Sequence, residues 1–236
     1  LKEGSMEISK KIMAFTMAET LITLGIIGII AAMTLPSLVA KYQSKVLSTQ
    51  LKKLYSVTYQ AMLRAVPDGD FRYLSLIKDG GGTESAKFFY DNYLKPQFKV
   101  QSFCEEKAGC WPQTYTKNKT KYGNSKGIGS GVISFTTIDG YAFTIDTWSF
   151  NHAGNVSETF GVDVTNNAAI VVIAVDVNGF KNPNTLGKDV YIYVMTERGL
   201  LPAGNDRSDD EVDEECKTTG LYCFAKIMRD NWNIAP

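Results

Sequence analysis

The sequence predicts an α+β protein in which a long N-terminal helix packs on an antiparallel β-sheet of about four strands. Three observations lead there. A nearly charge-free apolar stretch, Ile12 to Ala40, runs into an amphipathic segment with no breaker except Pro36 until Pro67. Four runs of strand length, rich in β-branched and aromatic residues, follow in the second half of the chain. Strands that arrive together after helices, rather than alternating with them, form an antiparallel sheet with one face left for a helix to cover.

The chain has 236 residues, 44% of them hydrophobic, with Lys+Arg 25 against Asp+Glu 25 and a formal net charge of +0. That length supports one domain of ordinary size or two small ones. The even balance lacks the basic excess of an electrostatic nucleic-acid binder, so no nucleic acid is expected as a partner. One His and four Cys supply neither a His-rich catalytic metal centre nor a zinc ribbon. His152 lies among Asn151, Gly154 and Asn155, a loop composition, and no Ser sits in a nucleophile elbow. The chain is therefore read as non-enzymatic, with no required cofactor.

Of the elements in order, the first is the most informative. Residues 1–5, ahead of Met6, are set aside as an added stretch or a misplaced start. Lys10 and Lys11 precede an apolar segment whose core, Leu21 to Leu35, carries no charge. As a helix, residues 15–40 are about 39 Å long, enough to cross a hydrocarbon layer roughly 30 Å thick. Basic residues ahead of the segment place that end in the cytoplasm and the rest of the chain outside. A cleaved secretory signal, with Ala31-Ala32 as the cut site, and a plain membrane anchor are both compatible with this much. Neither explains Glu19, because a carboxylate in hydrocarbon costs about 2.5 to 3.5 kcal/mol on insertion scales. Such a carboxylate needs a cation. The nearest one available is a new α-amino group made by cutting just upstream.

Ala14-Phe15-Thr16-Met17-Ala18-Glu19, continuing through Gly25 and Gly28 to Ala31-Ala32, resembles the N-terminal signature of type IV pilins and type II secretion pseudopilins. That pattern is a short basic leader, a small residue, an aromatic residue, a Glu four positions on, and then an apolar helix. The resemblance implies that a prepilin peptidase cuts after Ala14 and methylates the new terminus at Phe15. It implies that Glu19 neutralises the terminal amine of a neighbouring subunit during assembly, and that Pro36 is the family's helix-loosening proline. The family prefers Gly where this chain has Ala14. The implied partners are the peptidase, other pilin or pseudopilin subunits, an inner-membrane assembly platform and the lipid bilayer of a bacterial cell.

Beyond Lys41, Leu47, Leu51, Leu54, Thr58, Ala61 and Ala65 recur at spacings of four and three, the mark of one buried helical face. One helix over residues 15–66 is expected, with a kink or local melting near Pro36; two helices broken there is the alternative. Asp79 to Gly82 is a loop without the Lys-Ser/Thr ending of a phosphate-binding loop. Glu84 to Leu94 is a short helix stopped by Pro96, and residues 117–131 are a flexible connection. Val132–Ile138 and Tyr141–Thr147 flank Asp139-Gly140, read as a two-residue hairpin with positive φ at both turn positions. Ile170–Val177 and Val190–Thr196 complete the strands.

Cys104 with Cys110, and Cys216 with Cys223, form two close pairs that are read as local disulfides in an exported head, although four Cys allow three connectivities. Between the last two strands, residues 176–189 carry several oxygen side chains. Hard cations take such oxygens in flexible loops, and some pseudopilins hold calcium in their sheet region. The loop itself reads as an Asn/Gly/Pro turn bonded to its own backbone; calcium is the alternative, with Asp176, Asn178 and Asp189 as the expected ligands. Asp206 to Glu215 is read as a solvated acidic loop and as a docking surface or second cation site in the alternative.

The domain reading is a leader over 1–14, a long helix over 15–66 whose 15–40 part spans the membrane and drives assembly, and a head over 67–236. The expected function is a structural subunit of a type IV pilus or type II secretion pseudopilus. It would sit in the inner membrane with its head outside, and after assembly in an extracytoplasmic filament. The alternatives are a membrane-tethered binding module that never polymerises, and an adhesive tip subunit.

Overall fold

The computed structural model describes residues 16–73, 81–129, 132–165 and 170–234. The chain forms two compact units, Leu1–Ser44 with the terminal Pro236, and Lys45–Ala235, and the division falls within one helix.

Helix α1 (Met17–Ala65) starts at a capping box spelled by Thr16-Met17-Ala18-Glu19. The Thr16 hydroxyl accepts from the Glu19 N–H at 3.2 Å, and the Glu19 carboxylate accepts from the Thr16 N–H at 2.9 Å. Donors that the first turn leaves open are thereby satisfied. The helix is assigned through Pro36. Pro lacks an N–H and crowds the preceding turn. On either side of it, Thr34 and Ser37 donate to the carbonyls of Ile30 and Thr34 at 2.9 and 3.0 Å.

In the second unit the same helix buries a single stripe of Leu51, Leu54, Thr58, Ala61 and Met62, while Lys52, Lys53 and Arg64 are exposed. After it come α2 (Gly82–Phe89), which continues as a π-helical turn over Tyr90–Leu94, and β1 (Val100–Glu105). A two-stranded ribbon follows, β2 (Thr114–Tyr115) with β3 (Lys121–Tyr122). Next are β4 (Val132–Thr137), β5 (Ala142–Trp148) and α3 (Ala153–Phe160). The chain closes with β6 (Ile170–Asp176), β7 (Val190–Thr196), β8 (Gly199–Pro202), α4 (Asp209–Thr218) and α5 (Cys223–Arg229).

Among the described residues the main sheet has six strands in the order β1-β4-β5-β6-β7-β8, every neighbouring pair antiparallel. The α+β class stands, and the strand number rises from four to six. The two extra strands are the edges. β1 is largely exposed, and β8 is four residues between Gly199 and Pro202, so neither carries the alternating apolar pattern that marks a strand in sequence.

β6 and β7 are buried at every position. Val171, Ile173, Val175, Tyr191, Tyr193 and Met195 enter one core with Leu51, Leu54, Phe89 and Phe224. Ile170, Val172, Ala174, Val190, Ile192 and Val194 enter a second core with Trp111, Val156, Phe160 and Val212. Burial on both faces explains why these strands read as continuous apolar runs instead of alternating ones.

Four local expectations change. The β4–β5 hairpin closes through Thr137 N–H to Tyr141 O at 2.9 Å and Gly140 N–H to Thr137 O at 3.0 Å. Within its turn only Gly140 has positive φ, 87°, so the loop is the three residues Ile138-Asp139-Gly140, a tight turn followed by a left-handed glycine. The segment read as flexible, 117–131, contributes β3 to the small ribbon. The region around His152 opens α3, although His152 itself is exposed. The acidic stretch is mostly helical: Ser208 caps α4 in a capping box with Glu211, and Asp209, Asp210 and Glu211 occupy the first turn. Negative charge at that end is favoured by the helix dipole, which is why so acidic a segment folds.

Candidate functional site

Two places in the described chain bear the chemistry expected from sequence. The first is the α1 segment of the first unit. Ala14, Phe15 and the leader lie outside the described residues. From Met17 to Val39 the large apolar side chains, including Leu21, Leu24, Ile27, Ile30 and Leu35, are exposed. This is the one helix among the described residues that is long and apolar enough to cross a membrane. Glu19 lies in its first turn, held by the Thr16 N–H and, at 2.8 Å, the Thr16 hydroxyl. A Cβ placed on Gly25 or Gly28 would meet nothing within 4 Å. A helix-interior Gly costs about 0.5 to 1 kcal/mol relative to Ala, and nothing among the described residues uses the room these two leave.

The second place is the loop joining β6 to β7. Asp176 ends β6 and Asp189 precedes β7, and both are buried. The Asp189 carboxylate accepts three hydrogen bonds: from Thr185 N–H at 2.7 Å, Asn184 N–H at 2.9 Å and the Asn178 side-chain amide at 3.1 Å. Asp189 therefore braces the loop. Asp176 accepts from the Asn178 N–H at 3.0 Å through one oxygen. Its other oxygen faces the Asn184 carboxamide, together with the carbonyls of Gly179 and Lys181. With its nitrogen turned inward, Asn184 donates to these at 3.0, 3.3 and 2.9 Å. An amide has two hydrogens for these three acceptors. With the nitrogen inward both amide atoms find partners; with the oxygen inward it would meet three other oxygens, and a bound cation would be needed to hold them together. Close by, the Asn178 side-chain oxygen is buried without a hydrogen-bond partner.

Burial first, and then the neighbouring Asp189, push the Asp176 carboxyl up to about 8. Burial also raises Asp189, against the pull of its N–H donors. Two buried carboxylates with no Lys or Arg paired to them among the described residues are costly unless protonated or neutralised by a bound cation. No group of three or more His, Cys, Asp or Glu side chains gathers among the described residues. The donors here are instead carboxylate, amide and carbonyl oxygens, the set that suits calcium. Sequence reasoning picked out Asp176, Asn178 and Asp189 and missed Asn184. The Asn182-Pro183-Asn184 run reads as turn residues, and only the fold turns its last side chain inward.

Both cysteine pairs are joined as expected, Cys104–Cys110 with Cα atoms 5.9 Å apart and Cys216–Cys223 with Cα atoms 4.5 Å apart. The second is packed against the loop just described, because a Cβ on Gly187 would fall 2.5 Å from the Cys223 sulfur. No protein-family model, curated protein or solved structure matches the chain.

Proposed function

We propose that this chain is a non-enzymatic structural subunit of a type IV pilus or a type II secretion pseudopilus. In this reading a prepilin peptidase cuts after Ala14, and the subunit waits in the inner membrane with its head outside. Assembly moves the apolar part of α1 from lipid into a bundle of like helices. Glu19 is the observation that carries the reading. It is an acidic side chain in the first turn of an apolar, exposed stretch of helix, and among the described residues Thr16 is its hydrogen-bond partner. In a bundle it would set register by meeting the Phe15 amine of another subunit, since an unpaired carboxylate there is penalised.

The first test is the intact mass and N-terminal sequence of the membrane-extracted chain, with and without an active peptidase. A chain beginning at methylated Phe15 only when the peptidase is present supports the reading. A chain that is uncut, or cut after Ala32, removes it and leaves a tethered or secreted head. Glu19→Ala then separates a filament subunit from a tether, because only the former needs the carboxylate after insertion.

Within the head, we propose that the 176–189 loop takes a calcium ion, which Asp176, the Asn184 side-chain oxygen and the carbonyls of Gly179 and Lys181 would hold, with Asn178 beside it and Asp189 as brace. The ion would neutralise the buried carboxylates and tie the loop to the sheet. Asn184→Asp tests it, because the substitution keeps the oxygen and removes the amide donor. Calcium should raise the melting temperature of both forms, and chelator should reverse it. A chain indifferent to calcium, together with an Asn184→Asp form that is simply destabilised, would show that the amide donates and no ion binds.

A further inference from the structure

The Cys216–Cys223 disulfide has an unusual neighbour. Lys117 approaches from the loop after β2, where its own N–H donates to Thr219 O at 2.9 Å. Its ammonium lies 3.2 Å from the Cys223 sulfur and 3.7 Å from the Cys216 sulfur. Among the described residues no carboxylate pairs with it. Burial, and then Lys188, push this ammonium below the usual lysine range, as befits a cation that lacks an anion. Glu215 flanks Cys216, and its carboxylate accepts a hydrogen bond from the Thr219 hydroxyl.

The two sulfurs differ in access as well as in charge. Cys223 is 2% exposed and lies under the Gly187 backbone, whereas Cys216 is 8% exposed. In thiol–disulfide exchange a thiolate attacks one sulfur and the other leaves as thiolate, and a nearby cation favours whichever sulfur leaves. The less covered cysteine, Cys216, and the cysteine whose sulfur lies nearer the ammonium, Cys223, are therefore different residues.

We propose that Cys216–Cys223 is a directional thiol–disulfide exchange site for an external dithiol, with Lys117 as the residue that makes Cys223 the leaving group. One thiolate of the dithiol attacks the Cys216 sulfur. The Cys216–Cys223 bond breaks, and its electron pair goes to the Cys223 sulfur beside the Lys117 ammonium. The second thiol of the dithiol, as thiolate, then attacks the external sulfur of the mixed disulfide and releases Cys216, and the two protons lost by the dithiol end on the protein sulfurs. The protein disulfide is reduced and the dithiol is oxidised to its own disulfide; run backwards, the same steps install the bond.

The test uses the full chain in detergent, exposed briefly to excess glutathione as a monothiol probe, quenched in acid and mapped by mass spectrometry. The mixed disulfide should form on Cys216 with Cys223 free. Exchange should slow about tenfold in Lys117→Gln and recover in Lys117→Arg, while exchange at Cys104–Cys110 is unchanged. In the fully reduced chain, the pH at which Cys223 becomes alkylated should rise in Lys117→Gln, a shift that loss of packing alone would not produce. Capture on Cys223, or a Lys117→Gln rate that is faster or within twofold of the original, would overturn the proposal.

Discussion

The two parts of helix α1 obey the same local rules and meet opposite fates. In the first unit, Leu21, Leu24, Ile27 and Ile30 are apolar around the helix and exposed. In the second, Leu51, Leu54 and Met62 form one stripe and are fully buried in a core shared with the sheet. An amphipathic stripe finds its partner inside its own chain. A helix that is apolar all round has to find its partners outside, in lipid or in other helices. The head therefore carries its own stability, and the first segment is read as carrying assembly.

The sharpest way to break that division is to cut a side chain from each part. Leu54→Ala should destabilise the head by about 2 to 5 kcal/mol, read by denaturant unfolding, while Leu24→Ala should leave the same transition within about 0.5 kcal/mol. Equal effects would mean that the two parts share one core.

A second prediction concerns Asp176, whose carboxyl is pushed up to about 8 in the folded state by burial and then by Asp189, while an unfolded Asp keeps its ordinary value. The folded state therefore holds a proton that the unfolded state has lost, and stability falls as pH rises from about 4 to about 8, by at most about 1.4 kcal/mol per unit. Asp176→Asn should flatten this slope, and in the native chain calcium should suppress it. Thermal melts across that range with chelator and with calcium decide the matter; a slope that survives Asp176→Asn would place its origin elsewhere.

Removing the second disulfide, in the Cys216→Ser, Cys223→Ser double variant, should cost about 2.5 kcal/mol on the chain-entropy account of so short a loop. Ser208→Ala should cost about 1 kcal/mol through loss of the α4 cap. Both belong to the head, and both are measured by the same unfolding transition. Gly25→Ala should be the smallest, with no loss of head stability, because a Cβ there meets nothing among the described residues. Its effect on incorporation into filaments sharpens the comparison, since a defect there would place a neighbouring helix against Gly25.

Legibility followed the length and periodicity of each segment. The long helix, the two central strands and the strands of the β4–β5 hairpin announced themselves through runs and turn residues. The edge strands did not, because β1 is largely exposed and β8 is held by pairing with β7. The α4 helix was hidden by its charge, although Ser208 and Glu211 spell a capping box, as Thr16 and Glu19 do at the start of α1. In the candidate cation loop, two carboxylates and Asn178 stood out by type. The inward turn of Asn184 depends on how residues 179–184 return to Asp189, which no local preference dictates.

The sequence by itself determined what nearest-neighbour physics can determine: an apolar helix of spanning length with one carboxylate near its start, an amphipathic continuation, and two cysteine pairs close enough to join locally. Only the tertiary structure decided the six-stranded order, the two cores on opposite faces of β6 and β7, the three oxygens around the Asn184 carboxamide and the approach of Lys117 to the sulfurs. All but the Asn184 cluster, which lies within residues 176–184, bring together groups far apart in the chain. Their energies depend on burial and on distances through space, quantities that a local run of residues does not contain.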